Sequence, residues 1–117
     1  MFPFSVGEYI IRSASVVEQA FGGITTRLWD DPYEWTLPEK LATSELIGQY
    51  LDDVDASRKR AMAFIRSDGE LTRVIPAPER LIAISDILLT ALARARHHQG
   101  RAFALYEVIT KNRPQWL

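Results

Sequence analysis

Apolar residues recur at steps of three and four along three stretches of the chain, a spacing that places them on one face of an α-helix. The first stretch opens at Ser5, whose hydroxyl can cap a helix while Glu8 reaches back to it, as in a capping box. The pattern continues to Phe21, and the glycine pair 22–23 can adopt the left-handed backbone that ends a helix. The sequence therefore predicts a first helix over residues 6–21.

A second helical stretch follows a segment that has no clean period. Residues 24–42 combine two prolines, several acids and three aromatic residues, which predicts an ordered loop. Thr43 or Ser44 can then cap a helix whose apolar positions keep the helical spacing as far as Ile65. Acids occupy its first half and bases its second half, which suits the helix dipole and needs no ligand to explain it. We expect this helix to end before residues 67–69.

The next segment has the alternation of short strands. Residues 71–75 alternate apolar and polar side chains, residues 76–78 read Pro-Ala-Pro, and residues 80–84 resume an extended apolar run. Two such runs joined by a turn predict a small two-stranded hairpin.

The third helix is predicted over residues 86–111. Ser85 can cap it, and Ile84 and Leu89 are spaced for a hydrophobic staple. Gly100 lies inside it, where glycine costs about 1 kcal/mol relative to alanine, so we expect a neighbouring group close to it. Its predicted core positions are Leu88, Ala91, Leu92, Ala95, His98, Ala102, Leu105, Tyr106 and Ile109.

Three long helices and a minor hairpin predict one all-α domain spanning residues 1–117. Three amphipathic helices make either a three-helix bundle or a bundle with an apolar groove that a second copy closes. Apolar side chains at both ends of the chain, at Phe2, Phe4 and residues 116–117, favour the homodimer.

Composition narrows the functional classes. Zero cysteines exclude disulfides, a thiol nucleophile and thiolate metal sites. No apolar run approaches the roughly 20 residues that cross a bilayer, and the N-terminus lacks a basic signal region, so we expect a cytoplasmic protein with no membrane partner. The net charge of -1 divides into -7 over residues 30–55 and +6 over residues 56–117. With a pI near 6.1 and no compact basic block, no nucleic-acid partner is expected.

Arg12, Arg94 and His98 are the candidate binding residues. Arg94 and His98 are four residues apart on the third helix and so share a face, and Arg12 lies on the inner side of the first helix. If these helices pack together, two guanidinium groups and an imidazole converge, and guanidinium groups bind carboxylate or phosphate well. The structural alternative is that both arginines extend to water or pair with acids such as Asp52.

Other constellations carry less chemistry. His97 and His98 are adjacent on a helix and point about 100° apart, so they do not ligate one metal together; His98 is expected to face the core and His97 the solvent. The sequence contains no Gly-x-Ser-x-Gly motif and no glycine-rich phosphate loop. Residues 29–35, Trp-Asp-Asp-Pro-Tyr-Glu-Trp, could bind a cation or line a pocket, or simply hold a long loop against the helices.

Residues 92–101, Leu-Ala-Arg-Ala-Arg-His-His-Gln-Gly-Arg, resemble the last helix of the DinB-like (damage-inducible, YfiT-type) metalloenzyme superfamily, whose pattern there is His-x-x-His-His-Arg-Gly-Gln. Residues 5–13 resemble the opening of that family's second helix, and the order of loop, helix, hairpin and last helix is also similar. The resemblance therefore covers nearly the whole chain and implies a helical bundle that lacks the family's first helix.

The resemblance also implies a site. The three metal-binding histidines of the family fall on Arg12, Arg94 and His98, so only His98 remains as a metal ligand. The first hypothesis is a dimeric stress-associated or small-anion-binding protein with a degenerate metal site and no cofactor. The second is a metal-dependent thiol S-transferase-like or hydrolase-like enzyme, with Ni or Zn held by further ligands from another subunit or the acidic loop. The third is a structural dimerisation module.

Overall fold

A computed structural model describes residues 2–30 and 43–111. The helices of this part of the chain are α1 (Val6–Thr26), α2 (Ser44–Met62) and α3 (Ile84–Thr110). Between α2 and α3 lie a 3-10 helix (Asp68–Thr72) and the strands β1 (Val74–Pro76) and β2 (Leu81–Ala83). The described residues are mostly helical, which confirms the all-α class and the small hairpin. None of the described helices is long and apolar enough to span a membrane.

Helix α1 starts where the sequence predicts and ends later. The hydroxyl of Ser5 accepts the Glu8 backbone N–H at 3.1 Å. The predicted stop at the glycine pair is wrong, because the helix continues to Thr26 and neither glycine has a positive φ. The left-handed residue is Arg27, with φ 64°, and its N–H donates to the Gly23 carbonyl at 3.0 Å. The helix end therefore lies five residues beyond the predicted one.

Helix α2 begins at the predicted cap, where the Thr43 hydroxyl accepts the Leu46 N–H at 3.1 Å. It ends at Met62, and its exposed surface carries local ion pairs of Asp55 with Arg58 at 2.7 Å and Lys59 at 3.1 Å. These hydrogen bonds and charges lower the pKa of the Asp55 carboxyl.

The hairpin is shorter than predicted, since residues 71–72 of the predicted first strand belong to the 3-10 helix and β1 begins only at Val74. Antiparallel pairing places Ile75 opposite Ile82. The predicted cap at Ser85 is wrong, because α3 already begins at Ile84 and its N-cap, Ala83, has no side-chain capping bond. The predicted staple does not form either, since Ile84 is fully buried whereas Leu89 is 63% exposed.

Helix α1 is the centre of the fold. It packs against α3 on one side and α2 on another, whereas α2 and α3 hardly touch each other. Tyr9 lies near His98, and Ala20 packs with Ile87, so α1 and α3 are antiparallel. Helix α2 runs parallel to α1, because its early residues meet the early part of α1 and its late residues meet the late part. The described helices therefore form an open arrangement and not a closed three-helix bundle.

Two apolar clusters hold the helices together, one on each side of α1. The residues of the first join α1 to α3 and the hairpin: Ala20, Ile24, Ile75, Ile84, Ile87 and Ala91. The residues of the second join α1 to α2: Ile11, Ala14, Tyr50 and Val54. At the edge of this second cluster the Tyr50 hydroxyl donates to the Glu18 carboxylate at 2.7 Å. Burial of α1 on two faces explains why small residues predominate along it.

The core positions predicted for α3 are confirmed only along its α1 side. Ala91, Ala95 and Ala102 are buried, whereas Leu92 and Ile109 are 58% and 66% exposed. Apolar spacing alone cannot tell a face that packs from one that has no partner within the described chain. The expected close neighbour of Gly100 is absent too, since a Cβ placed there would meet nothing within 4 Å among the described residues.

Candidate functional site

Antiparallel packing of α1 and α3 brings Arg12 and His98 to the same part of the molecule. Tyr9, one turn before Arg12, is 1% exposed and its ring centroid lies 6.5 Å from that of His98. His98 is half-buried and His97 is exposed, as the helical spacing predicts. The two imidazole rings meet edge to face with centroids 5.5 Å apart.

The N-terminal segment covers this end of the seam between the helices. The Phe4 ring lies 3.8 Å from the Arg12 guanidinium carbon, within range of a cation–π contact. The Phe2 ring lies 5.3 Å from the guanidinium carbon of Arg101, and the Nε of Arg101 donates to the Tyr9 hydroxyl at 3.2 Å. Residues 2–4 thus contribute to the site's surroundings, in addition to any role at an interface.

Arg101 belongs to this cluster although the sequence reasoning did not single it out. It lies three residues after His98, so the same helical spacing that joins Arg94 to His98 could have identified it. Its side chain is half-buried, whereas that of Arg94 is exposed.

His98 is surrounded by positive charge. Burial lowers the pKa of the His98 imidazole, and the charges of His97, Arg12, Arg94 and Arg101 lower it further. Its Nδ1 is buried and has no hydrogen-bond partner among the described residues. The surroundings therefore favour the neutral form of the His98 imidazole.

The Glu8 carboxylate faces the cluster. Glu8, one turn before Arg12 on α1, places its Oε2 3.6 Å from the Arg12 Nε. Arg94 has no carboxylate within 4 Å in residues 2–30 and 43–111, and the expected partner Asp52 pairs with neither arginine. Of the two structural alternatives, the exposed Arg94 side chain therefore agrees with extension to water and not with pairing to an acid.

Arg94 borders a cavity of about 230 Å³ that is open to solvent on one side. The cavity lies between α1, α3 and the hairpin, and Arg94 supplies its only charged side chain among the lining residues. The remaining lining residues are Val16, Gln19, Ala20, Trp29, Ala77, Pro78, Ile82, Ile87, Thr90 and Ala91. Arg12 and His98 follow along the same seam, beyond Arg94.

Trp29 forms one wall of this cavity, and the glycine pair explains its position. A Cβ on Gly23 would lie 2.3 Å from the indole ring, so only glycine lets Trp29 pack against α1. The indole Nε1 donates to the Pro76 carbonyl at 3.2 Å, and the Gln19 side chain donates to the Trp29 carbonyl at 3.1 Å. Trp29 is thereby fixed between helix and hairpin, whereas residues 31–35 of the acidic aromatic loop lie outside the described residues.

A second, larger cavity carries more charge. About 510 Å³ in volume, it lies where the end of α1 meets α2 and the hairpin, and Arg27, Arg66 and Arg73 line it together with Glu70. The sequence reasoning missed it because these arginines are far apart in the chain and belong to no shared helix face. An anion attracted by charge alone could bind here, so experiments on Arg94 need variants of this cavity as controls.

Within the described residues no group of three or more histidine, aspartate and glutamate side chains could hold a metal ion. Comparisons with protein-family models, with curated proteins and with solved structures found no match.

Proposed function

We propose that this chain is a DinB-like helical protein whose degenerate metal site binds a small anion through Arg12, Arg94 and His98. The observation that carries the proposal is the positive cluster at the α1–α3 seam, where three guanidinium groups act electrostatically on the His98 imidazole, whose buried Nδ1 has no hydrogen-bond partner among the described residues. Guanidinium groups form charge-assisted hydrogen bonds with carboxylate or phosphate oxygens, and partial burial strengthens such bonds.

The residues at the three family positions do not fit a divalent metal. Arg12 and Arg94 offer guanidinium groups, which do not ligate metals, so His98 alone would supply a donor, whereas zinc sites use three or four. A metal-dependent enzyme would need its further ligands from a second subunit or from residues 31–42. Metal analysis of protein purified without chelator separates the two readings: a metal ion bound stoichiometrically would favour the enzyme.

The anion proposal is tested by thermal unfolding in millimolar inorganic phosphate at constant ionic strength. A ligand that binds only the folded protein raises the stability by RT ln(1 + [L]/Kd), so phosphate should raise the Tm. Arg94→Ala should reduce that rise. Arg96→Ala removes the same charge two residues away, where the Arg96 side chain bonds to Gln99, and should leave the rise unchanged.

Arg73→Ala completes the experiment, because Arg73 lines the other arginine-rich cavity. A rise in Tm that disappears in Arg73→Ala and persists in Arg94→Ala would assign phosphate to that cavity and overturn the proposal. A rise that is equal in all variants would also overturn it.

The second part of the proposal is that the chain forms a homodimer. A purely structural dimerisation module would form a homodimer as well. It is supported by apolar side chains on a face of α3 that the described chain leaves open: Leu89, Leu92 and Tyr106 are 63%, 58% and 39% exposed. Exposed apolar surface of this kind marks interaction sites. A second copy on this face would take the place of the first helix that the DinB resemblance implies is missing.

Leu92→Glu should convert the dimer to a monomer, because a buried carboxylate without a partner is costly at an interface. Ala93→Glu, one residue along and also exposed, is the matched control and should remain dimeric. Light scattering during gel filtration measures both masses. A monomeric parent protein at tens of micromolar, or a Leu92→Glu variant that still dimerises, would contradict this part of the proposal. The cytoplasmic location stays a prediction.

A further inference from the structure

The apolar cavity and the positive cluster lie on the same side of the α1–α3 seam. On α1, Arg12, Val16, Gln19 and Ala20 follow at helical spacing along one face. Helix α3 runs in the opposite direction. From the hairpin end to the His98 end, its facing residues are Ile87, Thr90, Ala91, Arg94 and His98. Because the helices are antiparallel, both apolar ends meet at the hairpin and both cationic ends meet at His98.

Distances along α3 show that the two regions can serve one ligand. Arg94 lies three residues beyond Ala91, which is about 4.5 Å along the helix axis. His98 lies a further four residues on, about 6 Å. A molecule only one ring in length therefore reaches from the cavity to Arg94, the nearest cation of the cluster.

The lining of the cavity selects the body of such a ligand. Its walls are alanine, valine, isoleucine and proline side chains and the Trp29 ring. Two polar groups of the wall are already engaged, since the Trp29 Nε1 donates to Pro76 and the Gln19 Nε2 donates to the Trp29 carbonyl, and the Thr90 hydroxyl is the other polar side-chain group besides Arg94. Arg94 at the edge is the charged lining residue, and it has no carboxylate partner among the described residues.

The volume sets the size of that body. An apolar cavity of about 150 Å³ accommodates benzene, and this cavity measures about 230 Å³. The part of a ligand that lies inside the cavity can therefore be about the size of a six-membered ring with a single substituent.

We infer that the ligand of this seam is a small monocarboxylate with a ring-sized apolar body, the body lying in the cavity of α1, α3 and the hairpin and the carboxylate on Arg94. This inference rests on the proposed anion site and gives its ligand a chemical class. Charge complementarity decides the orientation, because the opposite one would place a carboxylate against isoleucine and alanine side chains.

Benzoate, acetate, benzamide and inorganic phosphate are suitable probes, with binding measured by titration calorimetry or ligand-observed NMR. Benzoate should bind at least about tenfold more tightly than acetate, since its ring removes apolar surface from water. Benzamide, which has the ring without the charge, should bind more weakly than benzoate. Arg94→Ala should weaken benzoate binding, and Arg96→Ala should not.

Thr90→Phe separates the cavity from the charge. Thr90 is exposed on α3 and lines the cavity, so a phenyl group there occupies the space without entering the core. This variant should lose the advantage of benzoate over acetate while keeping phosphate-dependent stabilisation. Ala93→Phe places the same ring on an exposed position of α3 that is not among the lining residues, and should bind benzoate as the parent protein does.

The outcomes distinguish this inference from the proposed function. Phosphate binding that depends on Arg94, with benzoate no tighter than acetate, would overturn the inference and leave the anion site in place. Benzoate binding that stays tighter than acetate binding in Thr90→Phe would place the ring elsewhere and overturn it as well. Loss of the advantage of benzoate in Thr90→Phe and weaker benzoate binding in Arg94→Ala, with phosphate-dependent stabilisation reduced only in Arg94→Ala, support both.

Discussion

Replacing Gly23 by alanine tests how the chain builds the wall of its cavity. An alanine Cβ at this position would lie 2.3 to 2.4 Å from three carbon atoms of the Trp29 indole. Carbon atoms in contact prefer about 3.5–4.0 Å, so the ring has to move by at least about 1 Å. It cannot move freely, because its Nε1 is bonded to the Pro76 carbonyl at 3.2 Å and its own carbonyl to Gln19 at 3.1 Å.

The expected change in stability follows from opposing contributions. Exchanging glycine for alanine within a helix ordinarily gains about 1 kcal/mol. Overpacking costs about 1–3 kcal/mol, and loss of the indole hydrogen bond costs about 1 kcal/mol more. The free energy of unfolding of Gly23→Ala should therefore fall by about 2 kcal/mol, a decrease in Tm of about 8 °C.

Gly100→Ala is the matched control. A Cβ at Gly100 meets nothing within 4 Å among the described residues, so this variant should gain the ordinary helical increment of about 1 kcal/mol. Urea unfolding followed by circular dichroism measures both variants. Trp29→Ala removes the obstacle, so in that background Gly23→Ala should be neutral or stabilising, a coupling that a double-mutant cycle isolates. A Gly23→Ala protein as stable as the parent would refute the reasoning.

Three further variants probe the remaining contacts. Because the pKa of His98 is lowered in the folded state, the unfolded state binds more protons below about pH 6.5. The contribution of His98 to the free energy of unfolding is therefore complete above that pH and is lost as the pH falls toward the folded-state pKa. Wild type should lose more stability than His98→Gln between pH 7 and 5, and equal losses would contradict the lowered pKa. Tyr50→Phe removes the hydroxyl that donates to Glu18 at 2.7 Å and should cost about 1–2 kcal/mol in urea unfolding, whereas Tyr106→Phe, on an exposed part of α3, should be neutral. Ile75→Ala creates a cavity beneath the hairpin at a side chain 1% exposed and should cost about 2–5 kcal/mol by the same measurement; a loss below 1 kcal/mol would show that the hairpin repacks.

The sequence predicts the helices well and their ends less well, for a physical reason that Gly23 illustrates. Local patterns identify Ser5 and Thr43 as caps because a cap depends on a hydroxyl and an amide three residues away. The glycine pair is a sound stop signal by the same local logic. In the structure the helix continues through the glycine pair, and Gly23 instead gives room to the Trp29 indole, a tertiary contact that no local pattern contains.

The sequence likewise predicts one part of the candidate site and not the other. Helical spacing places Arg94 and His98 on one face and Arg12 on the inner side of α1, and the fold brings these groups together along the seam. The cavity beside Arg94 could not be predicted, because its walls come from four separate segments of the chain. Likewise, the apolar residues of α3 match a helical core pattern at Leu92 as well as at Ala91, yet Ala91 is buried and Leu92 is 58% exposed.

The position of Arg94 supports the proposal that this seam binds a ligand. Arg12, Arg94 and Arg101 each disfavour the charged form of His98, and whereas Glu8 lies 3.6 Å from Arg12, Arg94 has no carboxylate within 4 Å in residues 2–30 and 43–111. Such partners exist elsewhere, since Asp55 on α2 pairs with both Arg58 and Lys59. Local departures of this kind from otherwise consistent design are typical of functional sites. The proposed anionic ligand would supply a negative charge at Arg94, and the adjoining cavity would determine what that anionic group is attached to.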